Sequence, residues 1–89
     1  MRFLVKATIK PEVDKSLIIS KLPLANAADQ KRLADGIQEN LALVAADRSA
    51  GWVILHADSE AALEAIYATM PLNDYQDYEA VHILDEKDN

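Results

Sequence analysis

The chain has 89 residues, and its 15 acidic and 9 basic side chains give a net charge of −6 at pH 7. This length leaves room for one hydrophobic core, so we expect a single domain over residues 1–89. Cysteine is absent and there are only two glycines, which excludes a disulfide scaffold, a cysteine-ligated metal site and a glycine-rich phosphate loop. The acidic charge disfavours nucleic acid as a partner. We expect neither a metal nor a cofactor.

Nothing in the sequence indicates a targeting or membrane segment. Lys6 interrupts the apolar run at the N-terminus, and no cleavage-site pattern follows it. The longest apolar runs, residues 17–19 and 41–46, fall far short of the ~20 residues that a membrane span needs. We therefore expect a soluble cytoplasmic protein with no membrane partner.

The first half of the chain predicts one strand and two helical segments. Apolar residues recur at every second position of residues 3–9, at Phe3, Val5, Ala7 and Ile9, a period of two that is typical of a strand. Asp14 can cap a short helix within residues 12–22. Pro23 disfavours helical geometry at the residue before it and suits a first helical turn, so a new helix is predicted over residues 24–35. Gly36 can end that helix in the left-handed conformation.

The second half predicts a hairpin, a helix and a last strand. Two apolar runs, residues 41–46 and 52–57, flank a turn in which Gly51 can adopt a positive φ. Asp58 or Ser59 caps the next helix. This helix has a buried stripe at Leu63, Ile66, Tyr67 and Met70, and it ends at Pro71. A loop over residues 72–77, a strand over residues 78–84 and a charged tail over residues 86–89 follow.

The order β-α-β-β-α-β predicts an α+β fold, the ferredoxin-like plait. Right-handed crossovers place both helices on one face of a four-stranded antiparallel sheet. The strand alternation then divides the sheet residues between two faces. The residues expected to face the helices are Phe3, Val5, Ala7, Val53, Leu55, Val81 and Ile83. The residues expected on the opposite face are Leu4, Lys6, Trp52, Ile54, His56, Tyr78, Ala80, His82 and Leu84.

The face opposite the helices is largely apolar, although in a monomer it would meet water. Such a patch on a small protein marks an interface or a ligand groove. Because closed two-fold homo-oligomers are the commonest assemblies, we expect a homodimer that packs sheet against sheet.

Several polar side chains are candidates for chemistry. His56 and His82 are expected on the same sheet face, where they form either a proton-transfer pair or interface histidines with structural hydrogen bonds. No carboxylate is clearly on that face. Arg48 lies in the hairpin turn and either binds a carboxylate or is solvated. Glu79 is expected on the helix side, where a half-buried carboxylate with a raised pKa can act as a base.

The second half of the sequence resembles the muconolactone isomerase-like family of the dimeric α+β barrel superfamily. One part of the resemblance is Gly36 followed by a strand and the hairpin turn with the sequence DRSAGW. The other is the family element LPL-x-x-Y-x-D-x-E, which this chain matches at Pro71, Leu72, Tyr75, Asp77 and Glu79.

The resemblance implies a homodimeric barrel. Because muconolactone isomerases form large rings, it also implies that these dimers can assemble further. It also implies a pocket for a small organic acid or lactone and a proton-shift isomerisation. The candidate catalytic residues are Glu79, His56 and Tyr75, and the candidate ligand-binding residues are Arg48, Trp52, Asp77 and His82. In that reaction Glu79 or His56 removes the proton, and Arg48 or Tyr75 stabilises the resulting anion. The alternative is a non-catalytic dimeric module that binds a small ligand or a partner.

Overall fold

The computed structural model describes residues 1–83, and the order of its elements is the predicted β-α-β-β-α-β. The elements are β1 (Arg2–Ile9), α1 (Lys15–Ala34), β2 (Gln38–Val44), β3 (Ala50–His56), α2 (Glu60–Ala68) and β4 (Gln76–Ile83). A 3-10 turn, Asn73–Tyr75, precedes β4. The predicted strand residue Leu84 and the predicted tail over residues 86–89 lie outside the described residues.

The four strands form one antiparallel sheet in the order β2-β3-β1-β4. Both helices cover the same face of this sheet, so the predicted α+β ferredoxin-like arrangement is confirmed. The core lies between this face and α2, and its buried members are Phe3, Val5, Leu55, Leu63 and Tyr67. Neither helix of the described part is long and apolar enough to cross a membrane.

The helix α1 differs from its prediction at Pro23. Instead of separating two helices, Pro23 lies inside one helix of 20 residues. The helix begins after Asp14, whose carboxylate accepts a hydrogen bond from the backbone N–H of Ser16 at 2.9 Å, as predicted for a cap. Strong helix formers dominate residues 24–34, and their propensity offsets the one backbone hydrogen bond that proline cannot donate.

Two other helix ends agree with the sequence. The Ser59 hydroxyl accepts a hydrogen bond from the backbone N–H of Ala62 at 3.1 Å, so Ser59 caps α2. Gly36 follows the last residues of α1 with a φ of +75°, the left-handed conformation expected there. The positive φ predicted at Gly51 is wrong: Arg48 adopts it instead, with a φ of 63°, and Gly51 belongs to β3.

The residues of β4 face the opposite way from the prediction. Phe3, Val5 and Ala7 pair in register with His82, Ala80 and Tyr78, so these three β4 residues face the helices. The cause is the Tyr78 ring, which stacks on Tyr67 of α2 with their centroids 4.4 Å apart. An aromatic ring buries more apolar area in this contact than Val81 or Ile83 would.

We call the face turned away from the helices the open face. It carries Leu4, Lys6, Leu43, Trp52, Ile54, His56, Asp77, Glu79, Val81 and Ile83. The expectation that His56 and His82 share one face is therefore wrong, and so is the expectation that Glu79 points towards the helices.

Candidate functional site

A cavity of about 190 Å³ lies on the helix side of the sheet, beneath α1. Its space results from small residues on elements that face one another: Ala25 on α1, Ala7 on β1, Ala42 on β2 and Gly51 on β3. Ala7 and Gly51 are partners in the β1–β3 register, so the side chains on this face of the sheet are smallest where they meet. Met70, Pro71 and Leu72 close the cavity on the side of α2.

Asp29 and Arg32 of α1 line this cavity, together with Gln76 and Tyr78 of β4. Arg32 forms an ion pair with Asp29, one helical turn earlier, and its side chain is only 12% exposed. Its Nε donates to Oε1 of the buried Gln38 at 2.9 Å. Because Gln38 opens β2, this hydrogen bond ties the end of α1 to the sheet and fixes the guanidinium in the cavity wall.

Tyr78 provides a neutral hydrogen-bond donor at the same cavity. Its hydroxyl donates to Oε1 of Gln76 at 3.0 Å. Burial raises the pKa of Tyr78 to about 12, although the positive charge of Arg32 opposes that rise. At pH 7 the phenol is therefore protonated, and it can donate a hydrogen bond but cannot act as a base.

These groups make the cavity suitable for a small oxygenated ring compound. Its walls are mostly apolar, and a guanidinium and a phenol hydroxyl supply the hydrogen-bond donors that carboxylate or carbonyl oxygens require. Asp29 is the one carboxylate among the described residues that line it. The arrangement thus contains an acceptor for a proton and donors for an oxyanion.

A separate polar cluster lies on the open face. Arg2 binds both oxygens of Glu39, with Nε–Oε2 at 2.6 Å and Nη2–Oε1 at 3.0 Å. The same carboxylate lies 2.8 Å from Nε2 of His56. The hydrogen bonds from Arg2, and secondarily that from His56, hold the pKa of Glu39 below its usual range despite partial burial. The expectation that no carboxylate faces His56 is therefore wrong.

The three predicted catalytic residues lie apart from one another. Glu79 is exposed on the open face opposite Lys6, and not in a helix-side pocket. Tyr75 ends the 3-10 turn, where the Nζ of Lys21 lies 5.9 Å from its ring centroid. His56 is held by Glu39 on the open face.

The four predicted ligand-binding residues are also dispersed. Arg48 is exposed in the β2–β3 turn, and Asp77 is exposed on the open face. Trp52 lines the cavity beneath α1, and the Nζ of Lys6 lies 5.8 Å from its ring centroid. His82 lies on the helix side, where its ring centroid is 5.3 Å from that of Phe3.

The sequence prediction missed the polar residues that meet in the cavity, above all Asp29, Arg32 and Tyr78. A signal was present in α1, where Ala25, Asp29 and Arg32 recur at intervals of four and three residues and so share one helix face. No cluster of three or more His, Asp or Glu residues within residues 1–83 could hold a metal ion.

The fold is that of two enzymes of known structure. One is 5-chloro-2-hydroxyhydroquinone dehydrochlorinase from Burkholderia phenoliruptrix, in complex with 2,5-dihydroxybenzoquinone: the TM-score is 0.76 and the identity 16%, covering 100% of this chain and 99% of that one. The other is muconolactone isomerase, with a TM-score of 0.76 and 20% identity over 100% of this chain and 94% of that one.

These matches confirm the predicted resemblance to muconolactone isomerase at the level of the fold. No protein-family model matches the chain, and no curated protein matches it. The reaction and the substrate therefore have to be argued from the residues of the cavity.

Proposed function

We propose that the cavity beneath α1 binds a small organic acid or lactone and that the protein catalyses a proton-shift isomerisation of this ligand. The observation that carries the proposal is the presence of a fixed guanidinium, a neutral phenol and a carboxylate around one mostly apolar cavity. The two structural neighbours support this ligand class, since one acts on a lactone and the other holds a hydroxylated quinone.

The ligand is held by its oxygens and its ring. Arg32 presents N–H donors to a carboxylate or carbonyl. The Tyr78 hydroxyl, which donates to Gln76 in the free protein, turns to the ligand as a second donor from the sheet side. The apolar walls around Val5, Val53 and Leu72 contact the hydrocarbon part of the ligand.

Asp29 is the base in this proposal. Its carboxylate removes a proton from the carbon next to the carbonyl, and the C–H electron pair moves into the conjugated system to give an enolate. Arg32 and Tyr78 stabilise the enolate oxygen. The protonated Asp29 then returns the proton to another carbon of the same system, so the product is an isomer and Asp29 regains its charge. Glu79 and His56 lie outside this cavity, and their predicted roles find no support in its geometry.

The first experiment is a thermal-shift screen of small carboxylic acids and lactones. A ligand that binds only the folded state raises the melting temperature in proportion to the logarithm of its concentration. Ala25→Leu fills the cavity from α1 and is expected to abolish the shift. The matched control is Ala61→Leu, an exposed position on α2 away from this cavity. Equal shifts in the two variants would place the ligand elsewhere.

The second experiment measures proton transfer directly. A bound ligand is incubated in D2O, and exchange of its carbon-bound protons is followed by NMR. Asp29→Asn is expected to slow exchange about 10²- to 10⁴-fold, which is the usual contribution of a general base. Asp35→Asn is the control, because Asp35 caps the C-terminal end of the same helix, paired with Lys31 and away from the cavity. Unchanged exchange in Asp29→Asn would refute the assignment of the base.

A non-catalytic binding module is the second candidate function. In its favour, Asp29 and Arg32 already form an ion pair with each other, so the carboxylate of the cavity is not a free base. A ligand that stabilises the protein without any exchange of its protons in D2O would select this alternative over the isomerase.

We also propose that the chain, as one domain, forms a homodimer through the open face. Val81 is 62% exposed and Leu43 is 55% exposed there, a large apolar area for a chain of this size. Light scattering after size exclusion is expected to give twice the protomer mass of 9.8 kDa, and Val81→Lys is expected to halve it. The control is Ile19→Lys, because Ile19 is 65% exposed on α1, away from the sheet. A monomeric wild type would refute the dimer. A cytoplasmic location stays a prediction.

A further inference from the structure

The guanidinium of Arg32 keeps unused hydrogen-bond donors at the cavity beneath α1. Its Nε donates to Gln38 at 2.9 Å, and one N–H of Nη2 donates to Oδ1 of Asp29. The N–H groups of Nη1 and the other N–H of Nη2 have no partner among the described residues. Nη1 is not closed off, because the one enclosed side-chain atom without a partner in residues 1–83 is the Tyr67 hydroxyl. A ligand can therefore reach the edge of the guanidinium that Nη1 and Nη2 form.

The shape and charge of this edge favour a carboxylate. Its two parallel N–H donors match the two oxygens of a carboxylate, and such charge-assisted hydrogen bonds are roughly twice as strong as those between neutral groups. The side chain of Arg32 is only 12% exposed, so little water competes for these donors. The carbonyl of a neutral lactone brings no charge to the same edge and is held less tightly.

The ion pair with Asp29 is the weaker competitor for this guanidinium. Asp29 lies one helical turn before Arg32, and its side chain is 43% exposed. Ion pairs at this spacing contribute little when one partner meets water, because the charge is screened and a side chain loses freedom. A ligand carboxylate on Nη1 and Nη2 also repels the carboxylate of Asp29 and weakens its contact with Nη2. Asp29 is then released at the cavity wall.

A second cavity does not compete for such a ligand. It has a volume of about 230 Å³ and lies between α2 and β4, and Tyr78 lines both cavities. Its rim carries the exposed carboxylates of Glu60 and Glu64, which repel an anion. Among the described residues that line either cavity, Arg32 is the one Lys or Arg. An acid is therefore drawn to the cavity beneath α1.

We propose that the ligand of the cavity beneath α1 has to carry a carboxylate, and that this carboxylate binds Arg32 and releases Asp29 from its ion pair. This inference rests on the proposed function, because the cavity is the same and Asp29 is the base assigned there. The acid thus frees the base that acts on it. A neutral lactone leaves Asp29 paired and is not turned over, so the ion pair of the free protein selects against it.

Benzoate is a suitable probe, with benzamide as the neutral compound of the same shape. Binding to the full chain is followed by NMR through the backbone amides of Ala25 and Ala42, which line the cavity. We expect benzoate to bind about tenfold more tightly than benzamide, a difference of about 1.4 kcal/mol, since hydrogen bonds to charged groups exceed neutral ones by about that much. Equal affinities, binding of neither compound, or shifts confined to Leu63 and Ala80 of the second cavity would each overturn the proposal.

Substitution of Asp29 gives the sharpest test. Asp29→Asn is expected to tighten benzoate binding about fivefold, because it removes both a competitor for Arg32 and a repelling charge. The affinity for benzamide is expected to stay unchanged. The control is Asp35→Asn, which removes the same charge from the end of the same helix, where Asp35 pairs with Lys31. Both dissociation constants of the control are expected to equal those of the wild type.

Arg32→Lys tests the shape of the edge. Lysine keeps the positive charge but has no planar pair of donors, so benzoate binding is expected to weaken about tenfold. Circular dichroism verifies that each variant is folded. A folded Asp29→Asn variant that binds benzoate no more tightly than the wild type would refute the proposal, and so would an equal gain in Asp35→Asn.

This inference and the proposed isomerisation fail in different ways. Benzoate has no proton on the carbon next to its carboxylate, so it reports recognition alone. An acid that binds with the expected selectivity but exchanges no proton in D2O would overturn the isomerisation and leave this inference standing. A neutral lactone that exchanges its protons as fast as an acid would overturn this inference and leave the isomerisation standing.

Discussion

Tyr67 and Tyr78 are stacked on each other, yet removing their hydroxyls is expected to change stability in opposite directions. The Tyr67 hydroxyl is buried without a partner among the described residues, whereas that of Tyr78 donates to Gln76 at 3.0 Å. Phenylalanine preserves the stack in either position, with centroids 4.4 Å apart, so each substitution reports on one hydroxyl.

The magnitudes follow from these environments. An unsatisfied buried polar group costs about 1–3 kcal/mol, and a satisfied hydrogen bond contributes about 1 kcal/mol net. Tyr67→Phe is therefore expected to raise the free energy of unfolding by about 1 kcal/mol, the lower end of that range. Tyr78→Phe is expected to lower it by about 1 kcal/mol. For a domain of this size, 1 kcal/mol corresponds to a shift in melting temperature of about 4–8 °C.

The assay is urea unfolding followed by Trp52 fluorescence, with melting temperatures from circular dichroism. All variants are compared at one protein concentration, because self-association makes stability depend on concentration. A Tyr67→Phe variant that is less stable than the wild type would refute the reasoning. It would mean that the Tyr67 hydroxyl already has a partner in the folded protein.

Three further predictions concern the polar cluster and the helix α1. Glu39→Gln is expected to cost about 1 kcal/mol at pH 7, since a bidentate ion pair that still meets solvent is worth little more. Because Arg2 lowers the pKa of Glu39, the contribution of this ion pair to stability is complete above the ordinary pKa of 4.5 and is lost as the pH falls through the folded-state pKa. The difference in unfolding free energy between wild type and Glu39→Gln, measured by urea unfolding, should thus shrink between pH 7 and pH 3. A constant difference would contradict this cause. Pro23→Ala is expected to stabilise the chain by about 2 kcal/mol. The ~3 kcal/mol penalty of proline inside a helix exceeds the stabilisation that its rigidity provides by lowering the entropy of the unfolded chain. An unchanged urea midpoint would show that α1 is distorted at this position. Gly36→Ala is expected to cost about 1 kcal/mol because φ is +75° there, and Gly51→Ala, whose Cβ would meet the backbone oxygen of Leu43 at 3.4 Å, serves as a comparison without a left-handed backbone.

The sequence predicts the order of the elements well because local signals mark each of them. Residues 3–9 alternate with a period of two, Ser59 offers its hydroxyl to a helix start, and Gly36 is free to adopt the left-handed conformation that ends α1. Each signal depends on residues a few positions apart, so no knowledge of the tertiary structure is needed.

The orientation of β4 depends on a contact between distant residues. Val81 and Ile83 are as apolar as Tyr78 and Ala80, so alternation alone gives two possible orientations with no preference. The choice is made by Tyr67, eleven positions before Tyr78 in the sequence, through the stack between α2 and the strand. Such a pairing cannot be read from the strand itself.

The cavities are beyond sequence reasoning for a related reason. The space beneath α1 exists because small residues of four elements happen to face one another, and Arg32 reaches it only because Gln38 holds its guanidinium. The pairing of Glu39 with His56 likewise depends on the β2–β3 register, which contains an irregularity between Gln38 and Ala42. The predicted site residues therefore fell on both faces of the sheet.

The position of Tyr78 as a wall shared by both cavities has a thermodynamic consequence. Because Tyr78 lines both cavities, a ligand that displaces its ring on one side would change the wall of the other. By linkage, whatever factor a ligand of one cavity imposes on the affinity of the other cavity, a ligand of the second must impose on the first. One aromatic side chain thus makes the two occupancies a single coupled equilibrium.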